Sequence, residues 1–253
     1  MKFVTFIKEA DFDTKISYHD ELNPKLWVMM NERHVGATPY PGLKPEVMEA
    51  LDKISKKFIE ALELPEFVIR DIVLTGSNCN YNYTALSDLD VHLEIDVGDC
   101  PTCRVDSESC IQAKKSLWND KHEIEIYGIP VEMYATANIL DVITGAGAFS
   151  LKKMQWLTMP KKENVTWSQA AIASKAEEIS KEIDQLVSTS ADEEALQEMH
   201  AKIMRMRQSG LKSGGEFSLE NLAWKALRNN GFIQKLRQAI KKAEDDLLSL
   251  KSP

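Results

Sequence analysis

Hydrophobic spacing divides the chain into a mixed first half and a helical second half. Residues 2–9 form a short amphipathic stretch, and a polar change of register follows it. A loop rich in Pro and Gly precedes Pro45, which stands where a first helical turn starts. From there Met48, Leu51, Ile54, Phe58 and Leu62 recur at three- and four-residue spacing and predict an amphipathic helix ending near Leu64 and Pro65. Two strands come next, roughly Phe67 to Thr75 and Asp88 to Ile95. Residues 114–121 read as the end of a helix. Ile124 and Ile126, then Val131 and Met133, alternate with polar residues around Gly128, which predicts a hairpin.

After a small-residue junction at 145–149, two apolar stripes follow: Ile172, Ala176, Ile179, Ile183 and Leu186, then Leu196, Met199, Ile203 and Met206. A polar turn separates them, so the two helices are expected to pair antiparallel. Ser218 caps a further helix with Leu219, Leu222, Ala223, Ala226 and Leu227 inward, closed by Asn230 and Gly231. Its other face carries Asn221, Lys225 and Arg228, a phosphate or acceptor contact set if it is more than a solvated basic stripe. The fold class is thus α+β, divided into an N-terminal segment and helix (1–66), a sheet-bearing core (67–148) and a helical C-terminal domain (149–253).

The chemistry concentrates in residues 74–95. An apolar strand runs into Gly76 and Ser77, ten residues intervene, and Asp88 and Asp90 open the next strand. Alternation along a strand projects those two acids from one face while Leu89 and Val91 point into a core. Paired carboxylates on a rigid face suit a hard cation such as Mg2+, which shares its oxygen ligands with substrate phosphates. Gly76 permits close approach of backbone to a triphosphate, and Ser77 adds a hydroxyl and an amide donor. Ser87, next to Asp88, is a further candidate substrate contact. A third acid, Glu132, sits between apolar residues on the second arm of the hairpin; Glu123 and Glu125 on the first arm are its rivals. Tyr81 and Tyr83 are candidates for stacking on a base. His92, on the face of the acids, is read as a structural histidine, the alternatives being a metal ligand or a group that orients a carboxylate.

The Gly-Ser turn, spacer, Asp88–Leu89–Asp90 and the later Glu132 resemble the signature of the DNA polymerase β-like nucleotidyltransferases. At Asn78–Asn82 the chain departs from the further Gly that many members carry. Segments 17–27, 74–78, 117–122, 128–132 and 220–231 are similar to those of predicted nucleotidyltransferases of large tailed bacteriophages. The resemblance implies a palm-like small mixed sheet with flanking helices and a helical C-terminal domain. It also implies a site in which Asp88, Asp90 and Glu132 hold two ions, Mg2+ or Mn2+, while Gly76 and Ser77 grip the outer phosphates of a nucleoside triphosphate. Lys152 or Lys153, after the palm, is implied as a further phosphate contact. The activity implied is transfer of a nucleoside monophosphate to an acceptor hydroxyl, with an RNA 3′ end favoured over a protein or small molecule; the competing reading is a catalytically weak nucleotide-binding module. Residues 1–10 also resemble the capsid-targeting propeptides of some large tailed phages, which implies packaging in a virion.

Charge and cysteine usage refine this picture. The net charge of −8 opposes a salt-driven grip on nucleic acid along the whole surface. The average hides an asymmetry: from His200 onward 11 Lys and Arg face 5 acids, +6, against −14 for the remainder. No apolar run approaches a membrane span and no secretory signal opens the chain, so a cytoplasmic protein with no membrane partner is expected. Four cysteines form no disulfide framework. Cys100, Cys103 and Cys110 include one CysXXCys half-site of the zinc-knuckle kind, which His122 completes only if the chain folds back; without a second close pair they are expected to be ordinary loop thiols.

Overall fold

The computed structural model describes residues 19–30, 40–63, 67–96, 103–143 (103–108 as backbone only), 147–162 and 167–250. They fall into two compact units, one within Ser17–Lys162 and one within Glu163–Pro253. Together they form an α+β structure with a mixed sheet and six α-helices.

In the first unit a hairpin of β1 (Trp27–Met30) and β2 (Tyr40–Leu43) leads into α1 (Pro45–Leu62). Pro45 opens the helix, and Glu63 closes it in a left-handed conformation. The buried face of α1 is Val47, Leu51, Ser55, Phe58 and Leu62, rotated slightly from the expected stripe, so that Met48 and Ile54 pack at its margin. The sheet follows: β3 (Val68–Thr75), β4 (Leu89–Asp96), β5 (Glu125–Ile126), β6 (Ile129–Thr136), β7 (Ala148–Ser150) and β8 (Gln155–Thr158). Its spatial order is β5-β6-β4-β3-β7-β8. All neighbours are antiparallel except β4 and β6, which run parallel and are joined through α2 (Cys103–Lys121). Parallel neighbours need such a crossover, because the chain must return to its starting end.

Leu89, Val91, Leu93 and Ile95 of β4, with Val131, Met133 and Ala135 of β6, share a core with α1. The alternate positions of both strands, Asp90 and Glu132 among them, emerge on the other face. Tyr127 and Gly128 turn the β5–β6 hairpin with φ of 54° and 75°, the pair of positive values that a type I′ loop requires.

The boundary between the units falls later than the junction at 145–149 suggests. Phe149 and Ser150 pair with β3, and β8 extends the sheet beyond them. A small-residue junction here marks close packing: a Cβ on Gly147 would lie 2.1 Å from the Cys79 carbonyl oxygen.

The second unit holds α3 (Gln169–Ser188), α4 (Glu193–Gly214), α5 (Leu219–Asn229) and α6 (Phe232–Leu248). Ser168, Asp192 and Ser218 each cap a helix by accepting a backbone N–H. The expected stripes face the core, with Leu186 and Met206 partly buried at its margin, but α3 and α4 meet chiefly through α5 rather than as a simple pair. The small side chains of Ala223 and Ala226 let α5 wedge between them.

Candidate metal centre

Asp88, Asp90 and Glu132 converge. Each is half-buried, and each offers a carboxylate oxygen within 4.8 Å of the others. The register explains why: parallel pairing sets Asp90 directly opposite Glu132, and Asp88 precedes Asp90 by one strand period. Neither rival third acid shares that register. Glu125 lies on β5 opposite Pro130 and is exposed, and Glu123 precedes that strand.

Gly76 sits against this cluster with φ 81° and ψ −165°, a conformation essentially reserved for glycine. A Cβ there would lie 2.0 Å from Oδ2 of Asp90, so the turn is packed directly on the acid. Thr75, just before it, pairs with Asp90 across β3 and β4.

The loop between turn and acids is braced internally. Ser77 Oγ donates to Ser87 Oγ (2.8 Å), and Ser87 Oγ also accepts the Thr84 amide (2.9 Å). The Asn78 side chain is buried: it donates to the Asp88 carbonyl (2.7 Å) and accepts from Asn23 (2.9 Å), while Trp27 Nε1 donates to the Asn78 carbonyl (2.7 Å). Through these bonds Asn78 fixes the approach to Asp88. Tyr81 and Tyr83 are already engaged. Lys162 Nζ lies 5.2 Å from the Tyr81 ring centroid, and His19 stacks on Tyr83 at 3.8 Å.

Beside the acids lies an aromatic and basic cluster of which the sequence pattern singles out only His92. Tyr134, one strand period beyond Glu132, donates its phenol hydrogen to Glu132 Oε2. Its ring stacks on His92 (4.6 Å, 10° between planes), and Lys115 Nζ lies 4.4 Å from its centroid. Burial raises the Tyr134 pKa, and Asp90 and the bond to Glu132 raise it further. Burial first, and Lys115 second, lower that of His92 to about 4. His92 Nδ1 has no hydrogen-bond partner among the described residues. Asn119 of α2 pairs its amide with both N–H and C=O of Met133 (3.1 Å each), closing the edge of β6 between Glu132 and Tyr134. The one signal for these residues was period-two spacing from Asp90 to His92 and from Glu132 to Tyr134.

The other expected contact residues have protein partners of their own. Lys152 Nζ donates to the Ile69 carbonyl (2.7 Å), and Lys153 Nζ pairs with the buried Asp71 carboxylate (2.9 Å). Asp71 is opposite Glu94, four residues or about 13 Å along the strands from the Thr75–Asp90 pair. The structure therefore does not bring either lysine to the acids: each anchors the far end of β3. In the helical unit Lys225 Nζ pairs with Glu216 (2.9 Å), and Arg228 lies 5.2 Å from the Trp224 ring. Asn221 is fully buried, accepting from Arg207 and donating to the Glu216 carbonyl (2.7 Å). The face expected to be a basic stripe is thus partly an internal polar network.

Cys100 and residues 1–10 lie outside the described residues. The Cys103 side chain also lies outside them; Cys103 and Cys110 stand seven residues apart on α2, about 10 Å along its axis. His122 packs against Trp118 at 4.1 Å. No helix among the described residues is long and apolar enough to cross a membrane.

The donor set fits a hard divalent cation: three carboxylates, all oxygen, in reach of one another and of solvent. No family model, curated protein or solved structure matches the chain.

Proposed function

We propose that the chain is a polymerase β-like nucleotidyltransferase that moves a nucleoside monophosphate from a triphosphate to an acceptor hydroxyl and releases pyrophosphate. The observation that carries this reading is the acid triad on two adjacent parallel strands, with the Gly76 turn packed against Asp90. In this reading Asp88, Asp90 and Glu132 hold two ions, Mg2+ or Mn2+. Bound there, the ions neutralise the triphosphate and lower the pKa of the acceptor hydroxyl.

The chain's own groups do the rest by position. The backbone at Gly76 and Ser77 cradles the outer phosphates, with the Ser77 hydroxyl directed to Ser87 as a brace. The acceptor oxygen attacks the α-phosphorus, the bond to the pyrophosphate oxygen breaks in line, and Glu132 receives the acceptor's proton on that side of the site. No covalent intermediate is required, because in-line attack needs positioning and charge neutralisation more than covalent help.

An RNA 3′ end is the acceptor to try first, because the region from His200 onward carries +6 (11 basic against 5 acidic residues). A protein or small-molecule hydroxyl is the second reading. It draws support from the pairing of Lys153 with Asp71 and of Lys225 with Glu216, which takes two basic side chains away from a phosphate backbone.

The test is incubation with each α-labelled triphosphate, Mg2+ or Mn2+, and RNA, protein and small-molecule acceptors. Label transfer that disappears in Asp90→Ala supports the reading; no transfer to any acceptor and no pyrophosphate release would sink it. Packaging in a virion, drawn from residues 1–10, is a separate proposal that mass spectrometry of virion protein decides. Recovery of an intact 1–10 segment, or of no such protein, would remove it.

A further inference from the structure

Three carboxylates crowded into one site repel each other, and Glu132 has one more rotatable bond than Asp88 or Asp90 with which to swing away. Something must hold it inward. Tyr134 projects from the same strand face, and its hydroxyl donates to Oε2 of Glu132, which leaves Oε1 for an ion. The ring that carries the hydroxyl is itself fixed. It lies parallel to the buried His92 ring at 4.6 Å, and Lys115 approaches its centroid to 4.4 Å. The intervening residue, Met133, is clamped through both backbone groups by Asn119 at 3.1 Å, so strand and side chain are immobilised together.

We propose that Tyr134 is a positioning residue of the metal centre, holding Glu132 in its ligand conformation through the phenol-to-carboxylate bond. The inference rests on the reading of the acid triad as a divalent-cation site, and it adds a residue that touches neither ion nor substrate. Partners of this kind, bonded to a metal ligand, orient it, and their loss typically lowers metal affinity about 10- to 100-fold.

The probe is Mn2+ alone, its free fraction read by electron paramagnetic resonance on the full chain without nucleotide. Tyr134→Phe removes one oxygen and keeps the ring against His92. It is expected to bind Mn2+ at least tenfold more weakly, with the metal-free melting temperature unchanged. Because the hydroxyl acts through Glu132, adding Tyr134→Phe to Glu132→Ala should weaken binding no further than Glu132→Ala alone.

Wild-type affinity in Tyr134→Phe would overturn the proposal, as would an additive loss in the double variant. A loss that merely follows a lowered metal-free melting temperature would assign the hydroxyl to folding and overturn it too. These outcomes leave nucleotide transfer standing. A wild-type chain that binds no Mn2+ would instead remove the metal centre, and this inference with it.

Discussion

Gly76→Ala separates packing on the metal ligand from backbone strain. The substitution places a methyl group 2.0 Å from Asp90 Oδ2, whereas real contacts to Cβ essentially never fall below 3.0 Å. Either the Asp90 carboxylate or the turn must therefore retreat by at least the difference, 1.0 Å. A misplacement of about 1 Å in a catalytic constellation costs on the order of 100-fold in rate. Strain adds to this, because φ 81° with ψ −165° costs a residue with a side chain about 1–3 kcal/mol. For a unit of this size that lowers the melting temperature by roughly 2–12 °C.

Gly128→Ala is the matched control: its φ is 75°, yet nothing lies within 4 Å of the added methyl group. The assays are turnover with labelled triphosphate at saturating Mg2+, Mn2+ binding, and metal-free thermal melting. Both variants should melt earlier, but only Gly76→Ala should lose turnover by about 100-fold. If Gly76→Ala kept turnover within a few-fold of Gly128→Ala, the contact with Asp90 would have no catalytic consequence and the reasoning would fail.

Asp88→Ala and Asp90→Ala should each abolish metal-dependent transfer and leave metal-free melting unchanged or slightly raised, since one of three mutually repelling carboxylates is gone; near wild-type turnover in either would reassign the site. Glu132→Gln should lower kcat more than triphosphate affinity, and steady-state kinetics that show the reverse would move it off the acceptor side. In the helical unit, Asn221→Ala removes a fully buried side chain that links Arg207 to Glu216 and should cost about 2–3 kcal/mol in urea unfolding. His92 supplies the pH dependence. Its pKa is lowered in the folded state to about 4 against an ordinary 6.5, so the unfolded chain binds the extra proton first. Its contribution is complete above about pH 6.5 and fades as pH falls toward 4, by roughly 3 kcal/mol at most. Metal-free stability curves should therefore be flatter between pH 6.5 and 4 in His92→Phe than in wild type, and parallel curves would refute the assignment.

The amino-acid sequence by itself determined whatever depends on neighbours along the chain. An apolar run marked β3, period-two alternation marked β4 and β6, the apolar stripes marked α1, α3 and α4, and Pro45 and Ser218 marked helix starts, because these signals act within a few residues. The sharing of one face by Asp88 and Asp90 is of the same local kind. Which third acid joins them was not local: Glu123, Glu125 and Glu132 are all alternating acids of one hairpin, and only the parallel pairing of β6 with β4 sets Glu132 opposite Asp90. Strand partners are chosen by burial of whole faces, and no single segment carries that choice. The same holds for Lys152 and Lys153, which stand just after β7 and were expected at phosphates; antiparallel pairing of β7 with β3 carries them to the end of β3 remote from the acids, where a buried Asp71 needs a cation. Asn119, Lys115, His92 and Tyr134 come from a helix and two strands, so their meeting beside Glu132 exists only once α2 has crossed over and the sheet has closed.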